Sequence, residues 1–143
     1  MTLETTSGGG TSYDAFNGHE DSDQLTVFNL YIENSDAIGI RVAGHQTRIY
    51  GCWLADSDSA GIYAAGNRNI VYGNNVQDVG SNGIGGDGDD NIMVANVVRT
   101  VAAGSSCTMN GNDHVVVGNR LGGAINDNSS SSTIASNDTD TLT

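Results

Sequence analysis

Asp56 and Asp78 are the residues whose type and spacing come nearest to chemistry. They lie 22 residues apart at one position of a repeat, preceded there by Asn34 and followed by Thr100. Two carboxylates stacked one above the other could divide acid and base roles. A solvated polar turn is the commoner use of such a column. Gly85 to Met93 reads Gly-Gly-Asp-Gly-Asp-Asp-Asn-Ile-Met and fits the nonapeptide calcium pattern G-G-x-G-x-D-x-U-x. Calcium takes about six to eight oxygen ligands. The calcium pattern recurs every nine residues or so, whereas the step here is 22, and the preceding copy supplies Asn67-Arg68-Asn69, whose arginine repels a cation. Calcium is therefore the minority reading of this segment, and no metal or cofactor is assigned. His19, His45 and His114 share no repeat position with one another and read as surface residues. No catalytic set emerges.

The elements that would hold these residues are set by the repeat. Gly66 to Val76 (Gly-Asn-Arg-Asn-Ile-Val-Tyr-Gly-Asn-Asn-Val) has counterparts beginning at Gly44, Gly88 and Gly111, at steps of 22, 22 and 23 residues. Ile40, Ile62 and Ile84 follow Gly39, Gly61 and Gly83 at the same interval. A unit this short has no room for a helix pair, so it predicts strand-and-turn coils stacking on one another. The expectation is an all-β, single-domain parallel solenoid of about four to five coils. Long strands are expected near 26–32, 48–54, 70–76, 92–98 and 115–121, and a second, shorter strand in each coil at Ile40–Val42, Ile62–Ala64 and Ile84–Gly86. The leading glycines, with Asn67, Asp89 and Asn112 after them, suit turns of positive φ.

Counting back by twos from the last apolar residue of each copy assigns three inward columns. They are Phe28, Tyr50, Tyr72, Val94, Val117; Leu30, Cys52, Asn74, Asn96, Asn119; and Ile32, Leu54, Val76, Val98, Leu121. The stacked asparagines predict a buried amide ladder. The opposite face would then carry Val27, Ile49, Val71, Met93 and Val116, a small-residue column of Asn29, Gly51, Gly73, Ala95 and Gly118, and a third column that includes Tyr31 and Trp53. A solvated sheet face alternates apolar with polar residues. An apolar outward strip instead marks a contact surface, so Val27, Ile49, Val71, Met93, Val116, Tyr31 and Trp53 are the expected protein–protein face.

The spacing, the Gly-Ile and small-Gly pairs and the I-x-x-x-N pattern over about Leu25 to Leu121 resemble the right-handed parallel β-helix of the pectin-lyase-like superfamily. That resemblance implies a groove beside one sheet. Lyases of the superfamily work there with basic residues and often calcium, hydrolases with clustered aspartates, and epimerases with a compact Asp/His/Tyr set. This chain has no lysine, and Arg41 has no acid in the equivalent column. Trimers are familiar among viral β-helix proteins, so the resemblance also implies three copies packing around an axis.

Composition sets the remaining bounds. The 143 residues allow one domain, divided into a polar arm or irregular cap at 1–24, coils at 25–128 and a polar tail or partial last coil at 129–143. Seventeen acids against five arginines give a net charge of −12, which disfavours nucleic acid and anionic membrane as partners. Acid richness without lysine resembles proteins of salt-loving organisms. No secretory signal is read at the N-terminus. Cys52 and Cys107 fall on different strands more than two coils apart. At about 4.8 Å per coil they are too far apart for a disulfide and are expected as buried free thiols. The function expected is a non-catalytic structural or adhesion module, such as an oligomeric virion decoration, fibre or surface protein, located on a virion or otherwise outside the cell. Its partner would be its own copy or a capsid or surface protein. The alternative is a carbohydrate-active enzyme or a glycan-binding module, with Tyr31, Trp53 or Tyr63 stacking on sugars.

Overall fold

Apolar residues spaced by two, interrupted by glycine and asparagine every few positions, leave the chain only short strands, and three of them make one turn. A computed structural model describes residues 2–4 and 14–139. The first rung holds β1 (Thr2–Glu4), β2 (Phe16–Gly18) and β3 (Thr26–Phe28); the second β4 (Tyr31–Ser35), β5 (Ile40–Val42) and β6 (Arg48–Tyr50). The third holds β7 (Trp53–Ser57), β8 (Ile62–Ala65) and β9 (Ile70–Tyr72); the fourth β10 (Asn75–Val79), β11 (Ile84–Asp87) and β12 (Ile92–Val94). β13 (Val97–Val101), β14 (Cys107–Asn110) and β15 (Val115–Val117) follow, and β16 (Arg120–Leu121), β17 (Ile125–Asp127) and β18 (Thr133–Ala135) close the stack.

Each strand pairs in parallel with the strand one turn before and one turn after it. The result is three six-stranded sheets, A (β1-β4-β7-β10-β13-β16), B (β2-β5-β8-β11-β14-β17) and C (β3-β6-β9-β12-β15-β18). This is a right-handed parallel β-solenoid of about five turns, without helix among the described residues. The stack starts before Leu25, because β2 already pairs with β5. Its last rung has a strand in each sheet, with β18 pairing with β15.

The expected long strands are broken at one corner, and this overturns part of the inward assignment. Asn29, Gly51, Gly73, Ala95 and Gly118 all hold positive φ, between 52° and 65°. A left-handed residue there turns the chain from sheet C to sheet A and shifts the alternation by one. Val27, Ile49, Val71, Met93 and Val116 therefore point inward and are at most 4% exposed. They are core, and not the expected contact face. Phe28, Tyr50, Tyr72, Val94 and Val117 point outward, with Phe28 52% exposed. Beyond the corner the expected phase holds: Ile32, Leu54, Val76, Val98 and Leu121 are buried. Ile40, Ile62 and Ile84 meet them from sheet B, continued by Cys107. The glycine before each isoleucine is forced by packing. A Cβ on Gly61 would lie 2.2 Å from Val76 Cγ1 and 2.8 Å from the Gly83 carbonyl oxygen.

Two amide ladders run through the interior. In the first, Asn74 N donates to Asn96 Oδ1 (3.0 Å), Asn96 N to Asn119 Oδ1 (2.9 Å) and Asn119 N to Asn137 Oδ1 (3.0 Å). Each Nδ2 is shared between the next rung's Oδ1 and a carbonyl of the rung before, as Asn96 Nδ2 is between Asn119 Oδ1 (3.0 Å) and Val71 O (2.9 Å). This is the expected ladder. The second, at Thr47, Asn69, Asn91 and His114, was not expected, although those residues keep the 22- or 23-residue step. His114, expected on the surface, is 1% exposed. Its Nδ1 accepts from Asn91 N at 3.3 Å, while its Nε2 is buried without a partner. Imidazole occupies the slot that an asparagine fills one rung earlier, which is why it lies inside. Both cysteines are buried and free, and burial, ahead of the Asp127 charge, pushes the Cys107 thiol up to about 12.

Candidate functional site

The outer faces of the three sheets differ, and the difference follows from which residues each corner turns outward. On sheet C the outward columns are Thr26, Arg48, Ile70, Ile92, Val115, Thr133 and Phe28, Tyr50, Tyr72, Val94, Val117, Ala135. No acid stands among them, and Arg48 is the one charge. Each middle strand, such as Ile70-Val71-Tyr72, is apolar on both faces. A parallel strand reads that way when both its faces are covered. The face that sequence spacing assigned to one alternation thus exists on the other, one residue along.

Aromatic rings cluster at the N-terminal end of this face and continue around the corner. Phe28 stacks on Tyr50 (5.4 Å between centroids) and Tyr50 on Tyr72 (4.8 Å); on sheet A, Tyr31 stacks on Trp53 at 4.4 Å. The planes differ by only 10–11°. Coplanar rings cannot approach so closely, so these overlap face to face and turn their edges to solvent. Tyr31 and Trp53 thus lie outward as expected, with Tyr31 37% exposed. At the corner between the two groups a Cβ on Gly51 would lie 2.9 Å from Asn29 Oδ1, whereas farther along the same ridge, at Gly73 and Gly118, a Cβ would meet nothing within 4 Å.

Sheet B presents the opposite chemistry. Arg41 lies over the Tyr63 ring (5.8 Å to the centroid), and Tyr63 reaches across Gly85 to donate its hydroxyl hydrogen to Asp87 Oδ2. Asn110 Nδ2 donates to Asp87 Oδ1 (2.7 Å), and Asn128 Nδ2 to Asn110 Oδ1 (2.8 Å). Burial first, then the Asp87 bond and charge, push the Tyr63 phenol up to about 12, with Arg41 opposing. The polar atoms of this face are committed to one another from rung to rung.

The remaining chemical candidates resolve into backbone roles. Asn34, Asp56 and Asp78 hold φ of 59°, 54° and 53° and are exposed. Short polar side chains tolerate that left-handed conformation, which accounts for the column without acid–base work. In the Gly85–Met93 segment, Asp87 is engaged as above, and Asp89 Oδ1 accepts from Asn112 N at 2.9 Å. Asn91 Oδ1 accepts from Asn69 N at 2.8 Å. No group of three or more His, Cys, Asp or Glu that could hold a metal ion occurs among the described residues. Positive φ falls on the leading Gly66, Gly88 and Gly111 as expected but not on Gly44, and it falls two residues on at Gln46, Arg68, Asp90 and Asp113. Asn67 and Asp89 instead accept a backbone N–H from the following rung. Compared with family models, curated proteins and solved structures, the chain matches none.

Proposed function

We propose that this chain is a non-catalytic structural or adhesion module, a stiff β-solenoid that acts by presenting surfaces. The reading takes it as part of an oligomeric virion decoration, fibre or surface protein, a trimer in assembly and extracellular in location. The likeness to viral β-helix proteins supports the trimer, and the lysine-free acidic composition fits a salt-loving host. One observation carries it: strands β9, β12 and β15 of sheet C turn apolar or aromatic residues to both of their faces. A second supports it, since the outward polar groups of sheet B are spent on rung-to-rung bonds and not gathered around a cleft.

The alternative, a carbohydrate-active or glycan-binding module, is favoured by the likeness to pectin-lyase-like β-helices and by the company of Arg41, Tyr63 and Asp87 on one face. The stacked aromatics weaken it. Sugars pack C–H groups on a ring face, and here Tyr50 has a ring on each face while Phe28, Tyr72, Tyr31 and Trp53 each have a ring on one. The protein should neither depolymerise nor bind a panel of acidic and neutral polysaccharides, read by product absorbance and by co-sedimentation. Cleavage of any of them would replace this reading with an enzymatic one.

A further inference from the structure

We infer that the outer face of sheet C, together with the corner ridge and the Tyr31–Trp53 pair beyond it, is covered by a second copy of this chain. The inference rests on the structural-module reading and names its partner. Charge argues for the occupant. The chain carries 17 acids and a net charge of −12, yet the outward columns of sheet C hold none of those acids. Two copies approaching by an acid-bearing face bring like charges together, and on sheet C they do not; the flank beyond the corner carries one acid, Glu33, whose Oε2 accepts from the Tyr31 hydroxyl. A cationic partner would instead seek the turn rich in Asp89, Asp90 and Asp113 that runs along the far edge of the sheet.

Size argues for including the corner. Six three-residue strands span roughly 25 by 10 Å, well short of the about 800 Å² per partner of a stable interface. The contact must therefore run over the bare ridge at Gly73 and Gly118 onto the neighbouring flank. A surface with two contact flanks can meet a different neighbour on each, the arrangement that closes rings of identical subunits; the sheet A flank is aromatic at Tyr31 and Trp53 and polar beyond them, at Asn75 and Arg120.

Mass measured by light scattering across a wide concentration range tests this on the full chain. The unmutated protein should run as an oligomer. Ile92→Arg should run as a monomer with an unchanged circular dichroism spectrum. Thr108→Arg, on the outer face of sheet B, should keep the oligomeric mass. Should Ile92→Arg fail to fold, the double change Ile70→Ser with Val94→Ser removes apolar surface without adding charge and should likewise lower the mass at a given concentration. An unmutated protein that is monomeric throughout, or sheet C variants that retain full oligomeric mass, would overturn the inference. The polysaccharide panel reads the non-catalytic part of the proposed function separately: a monomer that cleaves nothing removes the self-association and the trimeric assembly and leaves the non-catalytic reading standing.

Discussion

Sheets B and C are built from the same repeat, on the same rungs, and differ in what they turn outward. Sheet B spends its outward positions on a relay from Arg41 and Tyr63 to Asp87, Asn110 and Asn128. Sheet C spends them on isoleucine, valine and aromatic rings. Both solutions satisfy a solenoid, because the interior needs only one alternation of each strand. The outer alternation is free to serve something else. On sheet B it ties rungs together in water, and on sheet C it leaves apolar surface that a partner would remove from water. A side chain's consequence therefore depends on which side of which sheet it occupies, and neighbouring residues of one strand should respond oppositely.

The largest expected effect lies in such a pair. Val71 is 1% exposed and Ile70 faces outward. Val71→Asp buries an unpaired charge among Ile49, Met93 and their neighbours and should cost more than about 4 kcal/mol, enough to unfold the chain. Ile70→Asp should stay folded, with a penalty of about 1 kcal/mol or less. Thermal unfolding of the two variants side by side decides it. A folded Val71→Asp protein with an unfolded Ile70→Asp one would restore the alternation expected from sequence.

That pair also shows what was legible in the chain and what was not. The 22-residue step fixed the parallel stacking, and the stacked Asn74, Asn96 and Asn119 announced a buried ladder because polar residues kept the spacing of apolar ones. The phase of Ile70-Val71-Tyr72 could not be read, since both alternations are apolar and either would make a core. The signal that would have fixed it is the Asn29, Gly51, Gly73, Ala95, Gly118 column. Read as small residues clearing a contact face, it is in fact a left-handed corner. His114 was hidden for a different reason: it stands in for asparagine, and only the spacing from Thr47, Asn69 and Asn91 reveals its column.

A smaller contrast separates buried from exposed ladders. Asn96→Ala removes the Nδ2 bonds to Val71 O and Asn119 Oδ1, and leaves Asn74 N and Nδ2 without their acceptor in the dry interior. The expected cost is about 3 kcal/mol. Asn128→Ala breaks the 2.8 Å bond to Asn110 Oδ1 on the exposed face of sheet B, where water takes its place. That should cost under about 0.5 kcal/mol. Denaturant unfolding midpoints at equal slope give both values. Equal losses would mean that the outer relay of sheet B holds the rungs as firmly as the inner ladder does.

The smallest effect concerns pH and belongs to sheet B alone. Burial, then the Asp87 hydrogen bond and charge, raise the Tyr63 phenol to about 12, against the opposing Arg41 charge. An unfolded tyrosine ionises near 10 or so. Below that pH both states keep the proton, and the contribution to stability is complete. Between about 10 and 12 the unfolded chain releases its proton while the folded chain holds it, so stability falls as pH rises. Tyr63→Phe carries no such proton. Its unfolding temperature should decline less steeply over that interval than that of the unmutated protein, with the two differing by a constant offset below it. The difference should be modest, because Tyr63 is only half-buried and solvent screens its partners. Following tyrosinate absorbance in the folded protein gives an independent reading, in which Tyr63→Phe should lose the highest-pH step of the titration. Superimposable alkaline profiles for the two proteins would show that the Asp87 contact does not hold the phenol proton, and the relay of sheet B would then begin at Asn110.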